Sequence, residues 1–116
     1  MYQWARKHGV KTAWGTDLLF EPELAGKQSE MLTRLGGYFS NVEALKIVTS
    51  GNAGLFRLSG ERDPYKAARL GEITAGAWAD VLLIDGDPTA DLTLLSAPEK
   101  NIAVIVKDGT IVKNTL

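Results

Sequence analysis

The apolar positions along the chain change character once, near residue 60, from helical spacing to short extended runs. Upstream of that point, Met31, Leu32, Leu35, Tyr38 and Phe39 form a single apolar stripe at helical spacing, which predicts a helix over about 28–38. Gly36-Gly37 weakens its end. Ser40-Asn41-Val42-Glu43 has the spacing of a capping box, with Ser40 as N-cap and Glu43 reaching back to the free amides. The helix it opens is expected over 41–50, carrying Ala44, Leu45, Ile47 and Val48. Ser50-Gly51 is expected to stop it, and Asn52 to cap a further short helix over 53–58 that ends at Ser59-Gly60. Ahead of these elements, Tyr2 to His8 has the form of the last turns of a helix, with basic residues at its C-terminal end and Gly9 as the stop. Val10 to Trp14 predicts a short buried strand within 10–15, which runs into Gly15-Thr16-Asp17. Leu18-Leu19-Phe20 follows as an apolar loop, and a polar linker leads through Gly26-Lys27-Gln28.

Downstream of Gly60 the pattern is one of strands and turns. Leu70-Gly71-Glu72-Ile73 is a brief extended piece and Thr74-Ala75-Gly76-Ala77 a turn. Val81-Leu82-Leu83-Ile84 is a continuous apolar run, which predicts a strand buried on both faces. Asp85-Gly86-Asp87-Pro88 terminates it, and Asp91 to Leu95 is expected as one helical turn. Ile102 to Val106 and Thr110 to Val112 flank Lys107-Asp108-Gly109, and Asp-Gly between β-branched runs is a strong hairpin signal. The pattern predicts an α+β chain, with a helical segment over 1–59 and a β-rich segment over 60–116.

Composition adds exclusions. A chain of 116 residues with 45% hydrophobic and 23% charged residues has an ordinary globular make-up. Its formal net charge of −1 gives no electrostatic basis for binding nucleic acid or an anionic membrane. Cysteine is absent, which removes disulfides, thiolate chemistry and Cys-ligated metals, and fits a cytoplasmic protein. No apolar run approaches the length of a membrane span, and the N-terminus lacks the apolar centre of a signal peptide.

Few residues carry candidate chemistry. Asp17 stands at the end of the opening strand, and a carboxylate at the C-terminal mouth of a parallel strand is where α/β folds place their chemistry. The plainer alternative is that Asp17 only caps the segment after it. Asp85, Asp87 and Asp91 lie close in sequence, but the calcium-loop pattern fails, because Ala90 and Ser96 stand where it needs Gly and Glu. Aspartates in such turns commonly bond their own backbone. His8 is the one histidine, at a helix C-terminus where a surface residue complements the dipole, and no second histidine exists for a zinc site or a triad. Gly36-Gly37 is no phosphate loop, and Trp4, Trp14 and Trp78 are most simply core or interface residues.

Four stretches together resemble the C-terminal portion of the metal-dependent amidohydrolase superfamily, in its imidazolonepropionase-like and Xaa-Pro dipeptidase-like branch. Gly9-Val10-Lys11-Thr12-Ala13-Trp14-Gly15-Thr16-Asp17 resembles the eighth barrel strand with its Gly-Thr-Asp ending. Glu43-Ala44-Leu45-Lys46-Ile47-Val48-Thr49 with Asn52-Ala53 is similar to the final barrel helix. Leu70-Gly71-Glu72-Ile73, then Gly76-Ala77-Trp78-Ala79-Asp80-Val81-Leu82-Leu83-Ile84-Asp85, resembles the return into a small β domain. Gly86-Asp87-Pro88 with Asp91, then Val106-Lys107-Asp108-Gly109, matches the tail.

The resemblance implies a (β/α)₈ barrel with a flanking β-sandwich, so that 1–59 corresponds to the last barrel unit and 60–116 to sandwich strands. It also implies a site of divalent metal, zinc, held by histidines that would precede Met1, with Asp17 as the proton shuttle and a metal ligand only in an intact site. Asp80 is expected to be structural, fixing the turn into the strand at Val81. The chain is thus expected to be a C-terminal fragment of an enzyme that hydrolyses an amide or dipeptide C–N bond. Alone it is expected to hold no cofactor and to be inactive. The alternative is a non-catalytic module that self-associates or binds a separate subunit, and either reading implies a homo-oligomer or a missing N-terminal portion.

Overall fold

The capping box at Ser40 forms as its spacing requires. In the computed structural model, which describes residues 1–116, Ser40 Oγ accepts from the Glu43 amide at 3.3 Å and the Ser40 amide donates to Glu43 Oε2 at 2.9 Å. Arg6 pairs with the same carboxylate at 3.2 Å, which ties α1 (Tyr2–Lys7) to the start of α3 (Asn41–Lys46). The amide and hydroxyl of Ser40, then Arg6, hold the Glu43 carboxyl below its ordinary range. Helix α1 ends as expected, with Gly9 at φ 65°.

The expected break at Ser50-Gly51 does not occur. Helix α3 continues through a π turn, Ile47–Gly51, directly into α4 (Asn52–Arg57). The hydroxyls of Thr49 and Ser50 fold back onto the carbonyls of Leu45 (2.7 Å) and Lys46 (3.5 Å), so the residues that suggested a stop are absorbed into the turn. Asn52 caps nothing; its side chain leaves the helix for another partner, described below. Ahead of this rod, α2 (Gln28–Thr33) runs on as a 3₁₀ turn, Arg34–Gly37, close to the predicted bounds. The polar linker before it is itself a 3₁₀ turn, Pro22–Lys27, opened by proline at its first position.

The predicted strand over 10–15 is absent. None of its residues has a backbone ladder partner in the chain, and none is buried. A parallel strand exists only beside other strands, and this chain supplies none next to it. The three strands that do form, β1 (Val81–Ile84), β2 (Ile102–Lys107) and β3 (Thr110–Asn114), make one antiparallel sheet in the order β1-β2-β3. The predicted hairpin joins β2 to β3. Its turn residues, Asp108 at φ 48° and Gly109 at φ 74°, have the two positive φ values of a type I′ turn. A bulge between Ile105 and Val106 shifts the register beyond it.

Strand β1 corrects a second expectation. It is not buried on either face, since Leu82 and Leu83 point to opposite sides and keep 51% and 49% of their surface exposed. It is an edge strand of a three-stranded sheet, touching the core only through Ile84. One-turn elements, a 3₁₀ turn Leu92–Ser96 and α5 (Pro98–Asn101), link β1 to β2.

The buried core is small, and it crosses residue 60. Leu35 and Ala44 from the helical part meet Leu92 and Leu95 from the β-rich part, with Trp14, Val48 and Ile84 packed around them. Asn41 adds a polar tie, donating to the carbonyls of Thr89 (3.2 Å) and Ala90 (2.9 Å). Gly71, at φ 72°, lies against the π turn: a Cβ there would stand 2.6 Å from the Thr49 carbonyl. Gly71→Ala should therefore destabilise the fold by at least about 2 kcal/mol, from positive φ and overpacking together. Gly26→Ala, where a Cβ meets nothing within 4 Å, should be neutral or slightly stabilising; paired denaturant titrations check both.

Candidate functional site

Residues 10–17 cross the rod α3–π–α4 and end at Asp17. The chain enters the crossing on one backbone bond, from the Val10 amide to the Ala5 carbonyl at 2.9 Å. At Trp14 it is gripped from both sides: the Trp14 amide donates to Asn52 Oδ1 at 2.8 Å, and Asn52 Nδ2 donates to the Trp14 carbonyl at 2.9 Å. One planar side-chain amide thus exchanges two hydrogen bonds with one residue, as a neighbouring strand residue does in a hydrogen-bonded pair. Nearby, the Thr12 carbonyl lies 3.8 Å from where a Cβ on Gly51 would stand.

Three residues beyond the grip, Asp17 sits at φ 55°, one of two non-glycine residues of the chain with positive φ. This left-handed conformation is uncommon for any residue but glycine, and aspartate and asparagine tolerate it best. Asp17 is exposed and takes part in no ion pair. It does not cap the following 3₁₀ turn, whose first-turn amides donate to no side chain. The plainer reading of this carboxylate therefore has no geometric support. The apolar residues after it, Leu19 and Phe20, are 77% and 92% exposed.

The other candidates resolve into local structure. Asp87 accepts from the hydroxyl (2.6 Å) and amide (2.9 Å) of Thr89, in that order of effect, and Asp91 does the same with Thr93 at the same distances. Both carboxyls are held below their ordinary range by these bonds. Each aspartate thus closes its own turn, and no group of three or more His, Cys, Asp or Glu side chains is arranged to hold a metal. Asp80 accepts from the Asp108 amide at 2.7 Å, fixing the hairpin turn rather than the entry to β1 alone. His8 is exposed with its ring 4.6 Å from that of Trp4, as a helix-end surface residue.

A concavity of about 680 Å³ lies along the start of the crossing segment and includes Arg6, Lys11, Phe39, Lys46, Leu55 and Leu58. Asp17 is not among its lining residues, so cavity and carboxylate are separate features. The residue that the sequence pattern undervalues is Asn52. The sequence pattern makes it an N-cap; the structure places it inside a continuous helical run, where asparagine is a poor helix former and its side chain is free to bond elsewhere.

Asp17→Val, which places a β-branched residue at positive φ, should destabilise the chain by about 1 to 2 kcal/mol, whereas Asp17→Asn should stay within about 0.5 kcal/mol of the parent. Equilibrium unfolding of the two variants measures the contrast.

No family model matches the chain, and no curated protein matches it. Solved structures do. The chain superposes on an amidohydrolase at 32% identity and a TM-score of 0.79, covering 99% of itself and 25% of that protein. It matches a prolidase complexed with N-methylphosphonate-L-proline at 28% identity and a TM-score of 0.80, covering 98% of itself and 26% of that chain. It matches an Aspergillus (A. niger) ochratoxinase at 28% identity and a TM-score of 0.75, covering 97% of itself and 24% of that chain. The chain spans about a quarter of the length of each of these three structures.

Proposed function

Because the chain resembles amidohydrolases and prolidases over about a quarter of their length, we propose that it supplies the aspartate-bearing part of an amidohydrolase acting on a C–N bond. The observation that carries this reading is the standing of Asp17. A free, exposed carboxylate is held at positive φ, three residues past a two-sided grip on the backbone, with no local structural task. Backbone held in a sparsely populated region, without a local reason, is a marker of function.

Within that reading Asp17 is the proton-transfer group. Its carboxylate takes a proton from the attacking water and gives it to the departing nitrogen, which lets one residue serve as base and then as acid. An amide or dipeptide is the substrate class, and the proline-bearing ligand of one neighbour supports the dipeptide. The divalent metal that the resemblance implies, zinc, is not fitted by this chain's own residues, which form no clustered ligand set around Asp17 or elsewhere. Its other ligands would come from the part of an amidohydrolase to which this chain does not correspond. The chemistry assigned to this chain is confined to Asp17 and a proton.

This reading expects the 116-residue chain alone, supplied with zinc, to bind no stoichiometric metal and to cleave no dipeptide. Metal analysis after gel filtration and a dipeptide hydrolysis assay check it. Stoichiometric zinc, with cleavage lost in Asp17→Asn, would show that the chain carries a whole active site and contradict the proposal.

A second reading, a self-associating or subunit-binding module, is favoured by one observation. Apolar side chains of α4 and its C-cap and of the sheet, among them Leu55, Leu58, Leu82, Leu83, Ile111 and Val112, stand exposed. Such surface drives association. Light scattering at micromolar concentration should find a dimer or larger species, and a stable monomer would remove this reading.

A further inference from the structure

We propose that Asn52 is the positioning residue for Asp17, and that the π turn at Ile47–Gly51 exists to aim it. Asparagine in a helix interior is unfavourable, and nothing within the helix uses its side chain. All of its recorded bonding goes to one residue of a distant segment, to both backbone groups of Trp14. The crossing segment has no strand beside it, so without Asn52 the amide and carbonyl of Trp14 would lose their only partners in the chain. The side-chain amide stands in for the missing strand at one register position. From there to Asp17 is three residues, too short a run to wander far from the point that is held.

The π turn sets the direction. A residue inserted into an α-helix rotates everything after it by about 100° around the axis. The wide turn ends at Gly51, immediately before Asn52, so it governs where Asn52 points relative to Ala44 and Val48 in the core. The turn is itself held from outside. Gly71 lies so close to the Thr49 carbonyl that no side chain fits there, while Thr49 and Ser50 bond back to the preceding turn. The succession from Gly71 to the π turn, to Asn52, to Trp14 and on to Asp17 is contiguous. Its catalytic consequence rests on the role proposed above for Asp17, but the grip itself does not.

The test uses the full chain with Asn52→Ala and Asn52→Asp, read by amide-exchange protection factors and by the backbone cross-peak of Asp17. Alanine removes both bonds. Aspartate keeps the acceptor but, when ionised, has nothing to donate to the Trp14 carbonyl; when protonated it can donate and accept in the same plane. Asp80 and Lys107 line the groove beside Asn52 and are common to parent and variants, so the parent measured over the same pH range accounts for their titration.

The expected result is a loss of at least tenfold in protection at the Trp14 amide and a shifted Asp17 cross-peak in Asn52→Ala. The amides of the β2–β3 hairpin should stay unchanged. Asn52→Asp should behave the same way at neutral pH and regain Trp14 protection as the introduced carboxyl protonates. Protection at Trp14 within twofold of the parent in Asn52→Ala would overturn the proposal. So would protection lost evenly over the whole chain, or an Asn52→Asp variant that acid does not restore. These outcomes concern the grip and are independent of whether Asp17→Asn alters catalysis.

Discussion

The structure depends on how an unpaired length of backbone is held across a helix. Residues 10–17 have the sequence of a strand but no strand beside them, and each peptide group there needs a partner or water. Two partners come from this chain: the Ala5 carbonyl, which takes the Val10 amide, and the Asn52 side chain, which takes both groups of Trp14. The helix that carries Asn52 is widened by one π turn at the point where it meets the segment, and Gly71 closes on that turn from outside. The capping box at Ser40 and the Arg6 ion pair set where the same helix begins. In the proposed account these local choices together position Asp17.

The packing describes surfaces rather than a filled interior. Eight of 116 residues are buried, and the buried cluster of Leu35, Ala44, Leu92 and Leu95 does no more than join the helical part to the β-rich part. Strand β1 is apolar on both faces and leaves Leu82 and Leu83 exposed, one to each side, while Leu55 of α4 and Leu58 just beyond it are exposed as well. In the proposed reading these faces are covered by the other parts of an amidohydrolase, which explains why residues with core chemistry occupy surface positions. A short apolar edge strand without lysine or proline has no built-in protection against pairing, so the same faces favour association when left open.

Elements whose cause is local were legible in the sequence. The capping box depends on Ser40 and Glu43 alone, the hairpin on Asp108-Gly109, the turns at Asp87 and Asp91 on the threonines two residues on, and all of them formed. The misread elements have distant causes. Val10 to Trp14 has strand composition but needed neighbours; Val81 to Ile84 has the composition of a doubly covered strand but lacks the covers. Ser50-Gly51 suggested a helix end because serine and glycine usually mark one, whereas the chain runs through them as a π turn with Gly71 packed against it from further down the chain. Asp17 was legible as a residue worth notice, and its positive φ and freedom from capping duty emerged only from the backbone. Asn52 reads as the cap of a short helix, and its actual role was not legible because its partner lies 38 residues away.

The central claim, that Asp17 is a proton-transfer group presented to a site completed by the rest of an amidohydrolase, is tested most directly by transplantation. This chain would replace the matching quarter of the amidohydrolase to which it is 32% identical, and hydrolysis by the folded chimera would be compared with that of its Asp17→Asn form. The account predicts an active chimera whose kcat falls by about 100-fold or more on Asp17→Asn, with KM little changed. A folded chimera that hydrolyses its substrate equally well with asparagine at position 17 would contradict it.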